Sequence, residues 1–260
     1  MANVICVSNQ KGGVGKTTTS NALTMGLSAR GLRVLCVDFD PQGNLSFSMG
    51  VVCHNDSTDT IYHVIKKERR IADAVRHQEF CDVLTCNVLL KTLDLEFTGA
   101  GREYLLKQAL APVQNQYDII LIDTPPDLGL LTINAFTASD YIVIPVLCDT
   151  YSLQGLIQIN DTLRQVRLRS NPRIQVAGVL LNRFNPRETV SGVVRQTAQS
   201  IAQSLGMPLF DTIIHSGVGL TRAQIQQENM MLTETDSRAV SDYRALIDEL
   251  IRRGVVRLHG

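Results

Sequence analysis

Near the N-terminus an apolar run, Val4–Ser8, leads into Asn9-Gln10-Lys11-Gly12-Gly13-Val14-Gly15-Lys16-Thr17-Thr18-Thr19, and a helical pattern follows at once. Glycines let backbone amides curl around phosphate oxygens, and a helix N-terminus adds partial positive charge. At this spacing Lys16 reaches the β and γ phosphates of a nucleotide and the Thr17 hydroxyl ligates Mg²⁺, while Gly12, Gly13, Val14, Gly15 and Thr18 supply the cradle. The strict spacing GxxxxGK[ST] is not met, because its first position is Gln10. In exchange the loop carries an additional lysine, Lys11, beside two glycines.

Two further segments offer carboxylates. Asp38-Phe39-Asp40-Pro41-Gln42-Gly43-Asn44 closes one apolar run, and Ile119-Ile120-Leu121-Ile122-Asp123-Thr124-Pro125-Pro126 closes another. In open α/β sheets ligands bind beyond the carboxyl ends of the strands, so an Asp there can hold a water of the Mg²⁺ shell, since Mg²⁺ keeps several waters. Asp123 is placed for this. Asp38 either assists at the metal or serves as a structural carboxylate.

KGGVGKTT resembles the deviant Walker A motif of the ParA/MinD family of ATPases. Asp38–Asn44 is similar to the DxDPQGN segment of its ParA/Soj members, and the run ending at Asp123 is similar to the family's Walker B. The resemblance covers most of the chain, least securely residues 50–100 and the last forty. It implies a Mg²⁺-dependent ATP hydrolase in which Asp40 orients the attacking water and takes part at the metal. It also implies that Lys11 crosses a dimer interface to the partner's nucleotide, so that dimerisation depends on ATP. A lysine between Gln10 and Gly12 does not easily reach its own γ-phosphate while Lys16 holds that side, and Gly12 would lie at the point of closest approach, where no side chain fits. Leu180-Leu181-Asn182-Arg183-Phe184 resembles the segment that meets the base in MinD-like members, which implies Asn182 and Arg183 as nucleotide contacts; a cap or turn role for Asn182 stays open. Pro208 borders the base by analogy, although Gly-Met-Pro is equally a plain turn.

These residues need a scaffold, and the chain supplies alternating elements. Val4–Ser8, Val34–Asp38, Asp118–Asp123, Tyr141–Leu147, Gln175–Leu181 and Leu209–Ile214 read as strands buried on both faces. Lys16–Arg30, Arg102–Gln114, Leu128–Ala138, Ser152–Arg169, Thr189–Leu205 and Val240–Arg253 have helical periodicity. The alternation predicts a doubly wound, mostly parallel α/β sheet with helices on both faces, the P-loop NTPase fold of MinD-like proteins by resemblance. With 260 residues, 44% of them hydrophobic, and neither repeat nor linker, the expectation is a single ATPase domain spanning 1–260. The six cysteines show no CxxC spacing and read as reduced core residues. No apolar stretch approaches a membrane span, and a strand beginning at Val4 leaves no room for a signal peptide, so a cytoplasmic protein is expected.

Net charge is zero, which excludes an overall field drawing the chain to nucleic acid. Locally, however, Asp161–Arg195 holds seven arginines against two acids, a net of +5. They form either solvated helix faces or a backbone-binding patch. The family offers three outputs. Reductase chemistry on an iron–sulfur cluster needs cysteines just after Asp123, and none is there. Membrane attachment through a basic C-terminal helix is opposed by Asp248, Glu249 and Gly254. What remains is partitioning of DNA: an ATP-bound dimer on nonspecific DNA, nucleoid-associated, released when a ParB-like partner stimulates hydrolysis. Where Soj-like proteins read Pro-Arg-Asn, this chain has Ile214-His215-Ser216-Gly217, so the DNA contacts expected are Arg187, Arg195 and Arg222. The alternative is a same-fold ATPase that positions a protein cargo or division regulator.

Overall fold

The computed structural model describes residues 1–54, 56–147, 150–184 and 191–258, with the side chains of 150–154 and 191–194 left aside. Seven strands form one sheet: β1 Asn3–Val7, β2 Val34–Asp38, β3 Val75–His77, β4 Asp82–Leu84, β5 Ile119–Asp123, β6 Tyr141–Leu147 and β7 Gln175–Asn182. Their order is β3-β4-β2-β5-β1-β6-β7, and every pair is parallel except the β3/β4 edge. From β1 the chain winds outward through β2 on one side, and later from β5 to β6 on the other. The carboxyl end of β1 therefore lies at a topological switch point, where ligands of such sheets bind.

Each strand buries alternate side chains on opposite faces. Val4 and Cys6 with Leu35, Val37, Ile120, Ile122, Ile142 and Ile144 build one core layer. Ile5 and Val7 with Val34, Cys36, Ile119, Leu121 and Val143 build the other. The first layer is covered by α3 Ile61–Ile65, α6 Leu105–Leu110, α7 Leu130–Ala138 and α8 Thr150–Arg169. The second is covered by α1 Lys16–Ser28 and α12 Arg238–Arg252, which inserts Val240, Tyr243, Leu246, Ile247 and Leu250. The amphipathic character of α12 is thus spent on the core, and no helix among the described residues is long and apolar enough to cross a membrane. The remaining helices are α2 Asn44–Ser48, α4 Ile71–Ala74, α5 Leu93–Glu96, α9 Ser191–Ser204, α10 Val218–Gln226 and α11 Met230–Thr233.

Three sequence expectations need correction. Leu209–Ile214 is not a strand. It touches β7 through one isolated bridge, Val179↔Leu209, and a second, Phe184↔His215, follows just beyond both segments. Between them the backbone amides of Asp211 and Thr212 donate to the buried Glu249 carboxylate at 2.9 Å each, which takes them out of any ladder. The helix expected over Arg102–Gln114 is broken: 3₁₀ turns at Arg102–Tyr104 and Ala111–Val113 flank α6, the second containing Pro112. The cysteines are not all core residues: Cys6, Cys36, Cys81 and Cys86 are buried but Cys53 is half-exposed, while Cys148 lies outside the described residues. Burial pushes the Cys6 and Cys81 thiols up to about 12, which leaves them inert at neutral pH.

Candidate functional site

The loop from β1 into α1 is held from three sides. Asn9, fully buried, donates from Nδ2 to Pro145 O at 2.7 Å and accepts the Lys11 amide at 3.0 Å. Gly13 and Gly15 turn the chain at φ 74° and 91°, conformations that cost a glycine little. Asn182, at the end of β7, donates from Nδ2 to Val14 O at 2.9 Å. Lys16 is buried, and its Nζ donates to Lys11 O at 3.1 Å, so the ammonium is folded back over the loop. Burial lowers its pKa, opposed by Asp123, Asp40 and Asp127. The result is a preformed anion cradle at a helix N-terminus.

Opposite the lysine stand the carboxylates. Thr17 Oγ1 donates to Asp123 Oδ2 at 2.7 Å and Ser20 Oγ to Oδ1 at 2.8 Å. Asp38 accepts the amide and hydroxyl of Ser46, both at 2.7 Å on Oδ2. Burial, then the charge of Asp38, pushes Asp123 up to about 7; burial pushes Asp38 up to about 6 against the Ser46 hydrogen bonds. Asp40 is buried at the loop's edge, with Oδ1 accepting the Gln42 amide at 3.0 Å and its carbonyl accepting the Cys86 thiol at 2.8 Å. Asp123, Asp40 and Asp127 act on the Lys16 ammonium, with Asp38 in register beside Asp123, so negative charge is in surplus there, and the carboxylate oxygens are hard donors. No three acidic, imidazole or thiol groups among the described residues could hold a metal ion by themselves. That combination fits Mg²⁺, which needs few protein ligands and completes its shell with water and phosphate.

Loop and carboxylates open into a cavity of about 870 Å³ whose lining includes Gly12, Gly13, Gly15, Lys16, Thr17, Thr18, Asp40, Asn182 and Arg183. Val14 is buried beneath the loop. Asn182 is 3% exposed, and its amide is occupied by Val14 O and the Arg183 amide. It therefore ties β7 to the loop. Arg183 is exposed in a left-handed conformation, φ 55°. Pro208 is not brought to the cavity: it is exposed, and its carbonyl accepts Val179 N halfway along β7. Lys11 faces a second cavity, of about 590 Å³, with Asp127 and Gln158. Arg195 is exposed on α9; Arg222 pairs with Glu234 at 3.4 Å; Arg187 lies outside the described residues.

Some of the site was not anticipated. Ser20 sits three residues after Thr17, which on a helix places both hydroxyls on one face, and that spacing is the signal that would have found it. Ser46, Gln224 (which accepts from Thr18 Oγ1 at 3.3 Å) and His215 carry no such signal.

A family model described as an AAA domain matches residues 2–176. The sporulation initiation inhibitor protein Soj of Bacillus subtilis is 37% identical over 98% of this chain and all of its own length. The chromosome partitioning protein ParA of Myxococcus xanthus is 35% identical over 97% of this chain and 89% of its own. Among solved structures, a cobyrinic acid a,c-diamide synthase from Mycobacterium smegmatis, with bound ATP analogue and magnesium, superposes with TM-score 0.85 at 31% identity, covering 98% of this chain and 96% of that one. The McdA(D38A)–ATP complex from Cyanothece shares the fold, TM-score 0.86 at 22% identity over 100% of this chain and 98% of that one. With the phosphate loop, the Asp38–Asn44 segment and the Asp123 strand end converging on one cavity, the chain belongs to the ParA/MinD family of P-loop NTPases, among its ParA/Soj members.

Proposed function

We propose that the chain is a Mg²⁺-dependent ATPase of one domain that dimerises around ATP, binds DNA without sequence readout and drives partitioning with a ParB-like activator. The observation that carries the ATPase is the Thr17–Asp123 hydrogen bond beside the buried Lys16, at the switch point of the sheet. In phosphoryl transfer the protein contributes positioning and charge stabilisation. Thr17 and, by way of water, Asp123 would hold Mg²⁺, which would supply positive charge against that of the phosphates. Lys16 swings from Lys11 O onto the phosphates. Asp40 holds the water that attacks the γ-phosphorus as the bond to the β-phosphate oxygen breaks, leaving ADP and phosphate.

That Lys11 lines a second cavity and not the one lined by Lys16 supports reading it as the lysine that reaches a partner's nucleotide. DNA binding is supported by Arg195 and the arginines of α8, which face solvent at Arg164 and Arg169. Phosphate release should require Mg²⁺ and vanish in Lys16→Ala, and ATP-dependent gel shifts should weaken with salt. A pure protein that binds no ATP by calorimetry overturns the ATPase; unchanged DNA mobility at low salt with ATP overturns the DNA arm. One observation favours the second reading, a cargo-positioning ATPase: Arg222, expected on DNA, is already engaged by Glu234.

A further inference from the structure

His215 lines the same cavity as the phosphate loop. Its placement is built. The backbone amide and ring Nδ1 of His215 both meet Asp242 Oδ2 at 2.8 Å. Asp242 belongs to α12. Phe184 packs edge-on against the ring, centroids 5.6 Å apart at 90°. The side chains of His215 and Asp242 are 14% and 16% exposed. The bridge Phe184↔His215 joins this segment to the end of β7, and Asn182 joins that end to Val14 in the loop. A carboxylate only accepts, so Nδ1 carries a proton toward Asp242, and in that tautomer of a neutral imidazole Nε2 is an acceptor.

We propose that His215 is a recognition residue for the nucleoside: Nε2 accepts a hydrogen bond from a donor there, the adenine amino group or a ribose hydroxyl. This rests on the ATP reading of the site. Its logic is selective, because guanine presents a carbonyl oxygen where adenine presents an amine, and two acceptors facing one another leave both unpaired. Asp242 is then a positioning residue that fixes the tautomer.

The test is calorimetric titration of the full chain with Mg·ADP, Mg·GDP and Mg·2′-deoxy-ADP, for the wild type, His215→Ala and His215→Gln, each checked for a native thermal transition. Preference for ADP over GDP should fall about five- to tenfold in His215→Ala and recover in part in His215→Gln, whose carbonyl oxygen restores an acceptor. If the ribose is the donor, the preference for ADP over 2′-deoxy-ADP falls instead. Equal weakening of all three nucleotides, or no change in either ratio, overturns the proposal. His215→Gln serves alone if the alanine variant does not fold. Failure of the wild type to bind ADP would strike the nucleotide reading itself, a result distinct from wild-type binding with ratios insensitive to position 215.

Discussion

Asp38 and Asp123 stand opposite one another in register at the carboxyl ends of adjacent parallel strands, and both are wholly buried. Two carboxylates this close, out of water, resist losing both protons, and that resistance is the electrostatic fact around which the site is organised.

A pH dependence follows. Both carboxyls titrate above their ordinary value, Asp123 near 7 and Asp38 near 6. Between about pH 4 and 7 the native chain therefore holds protons that the unfolded chain has released. Stability then falls as pH rises through that window, by about 1.4 kcal/mol for each unit of separation between native and unfolded values. The ligand-free protein should melt lower at pH 8 than at pH 5.5, and Asp123→Asn should flatten the difference. Binding of Mg·ADP should release protons and raise the melting temperature most at high pH. Calorimetry in buffers of different ionisation enthalpy measures that release; a melting temperature that climbs from pH 5.5 to 8 in wild type and variant alike contradicts the assignment.

Glu249 acts in the opposite sense. Burial raises its pKa, but hydrogen bonds from Thr212 and the Asp211 amide, with Arg253 nearby, bring it below the usual value. Its stabilisation is complete above the unfolded pKa and disappears as pH drops through the native one. Because it also satisfies two backbone amides at 2.9 Å, Glu249→Ala should cost about 2–4 kcal/mol at pH 7, read from urea unfolding, and much less at pH 3. A loss of equal size at both pH values would show that packing, not charge, is what the residue contributes.

The two loop lysines should separate. Lys16→Ala should abolish nucleotide binding. Lys11→Ala should keep ADP binding while losing ATP-dependent growth from one protomer to two in light scattering, together with about 10³-fold or more in hydrolysis, as for other charges supplied in trans. Loss of ADP binding in Lys11→Ala would place that lysine in its own protomer's site.

What sequence shows of such a site depends on period and length. The phosphate loop, Asp38–Asn44 and Asp123 are legible because each ends an apolar strand at a fixed place in an alternating pattern. β3 and β4 have three residues each, too short for a period of two to register, so the edge of the sheet went unread. Leu209–Ile214 carries the apolar composition of a strand, and only the distant Glu249 decides otherwise. Asn182 is singled out in the sequence by the resemblance of Leu180–Phe184 to a base-contacting segment, but what it holds in the structure is the Val14 carbonyl, a contact spanning 168 positions that no local pattern encodes.

The arginines should differ in their effect on DNA. Arg195 faces solvent on α9, whereas Arg222 would have to leave Glu234 first. Arg195→Ala should reduce the slope of log affinity against log salt by up to about 0.9, one phosphate contact, and Arg222→Ala should change it little. Filter binding between 50 and 200 mM salt, with ATP present, reads both slopes; equal losses would mean that the ion pair opens at no cost.

Two glycines of the loop should fail for different reasons. A Cβ built on Gly12 meets nothing within 4 Å, so the isolated protomer has room for a side chain there. A Cβ on Gly15 would overlap Asn182 Nδ2, and φ at that position is 91°, where L-residues are strained. Gly15→Ala should therefore push Asn182 off Val14, lower the melting temperature and weaken nucleotide binding, the backbone strain alone costing about 1 kcal/mol or more. Gly12→Val should fold as stably as wild type and still bind ATP. If two protomers close face to face over the loops, that variant should be blocked at the association step, remaining a single protomer by light scattering with ATP bound. A Gly12→Val protein that dimerises normally would mean that the loops do not meet, and that the role argued for Lys11 has no partner to act on.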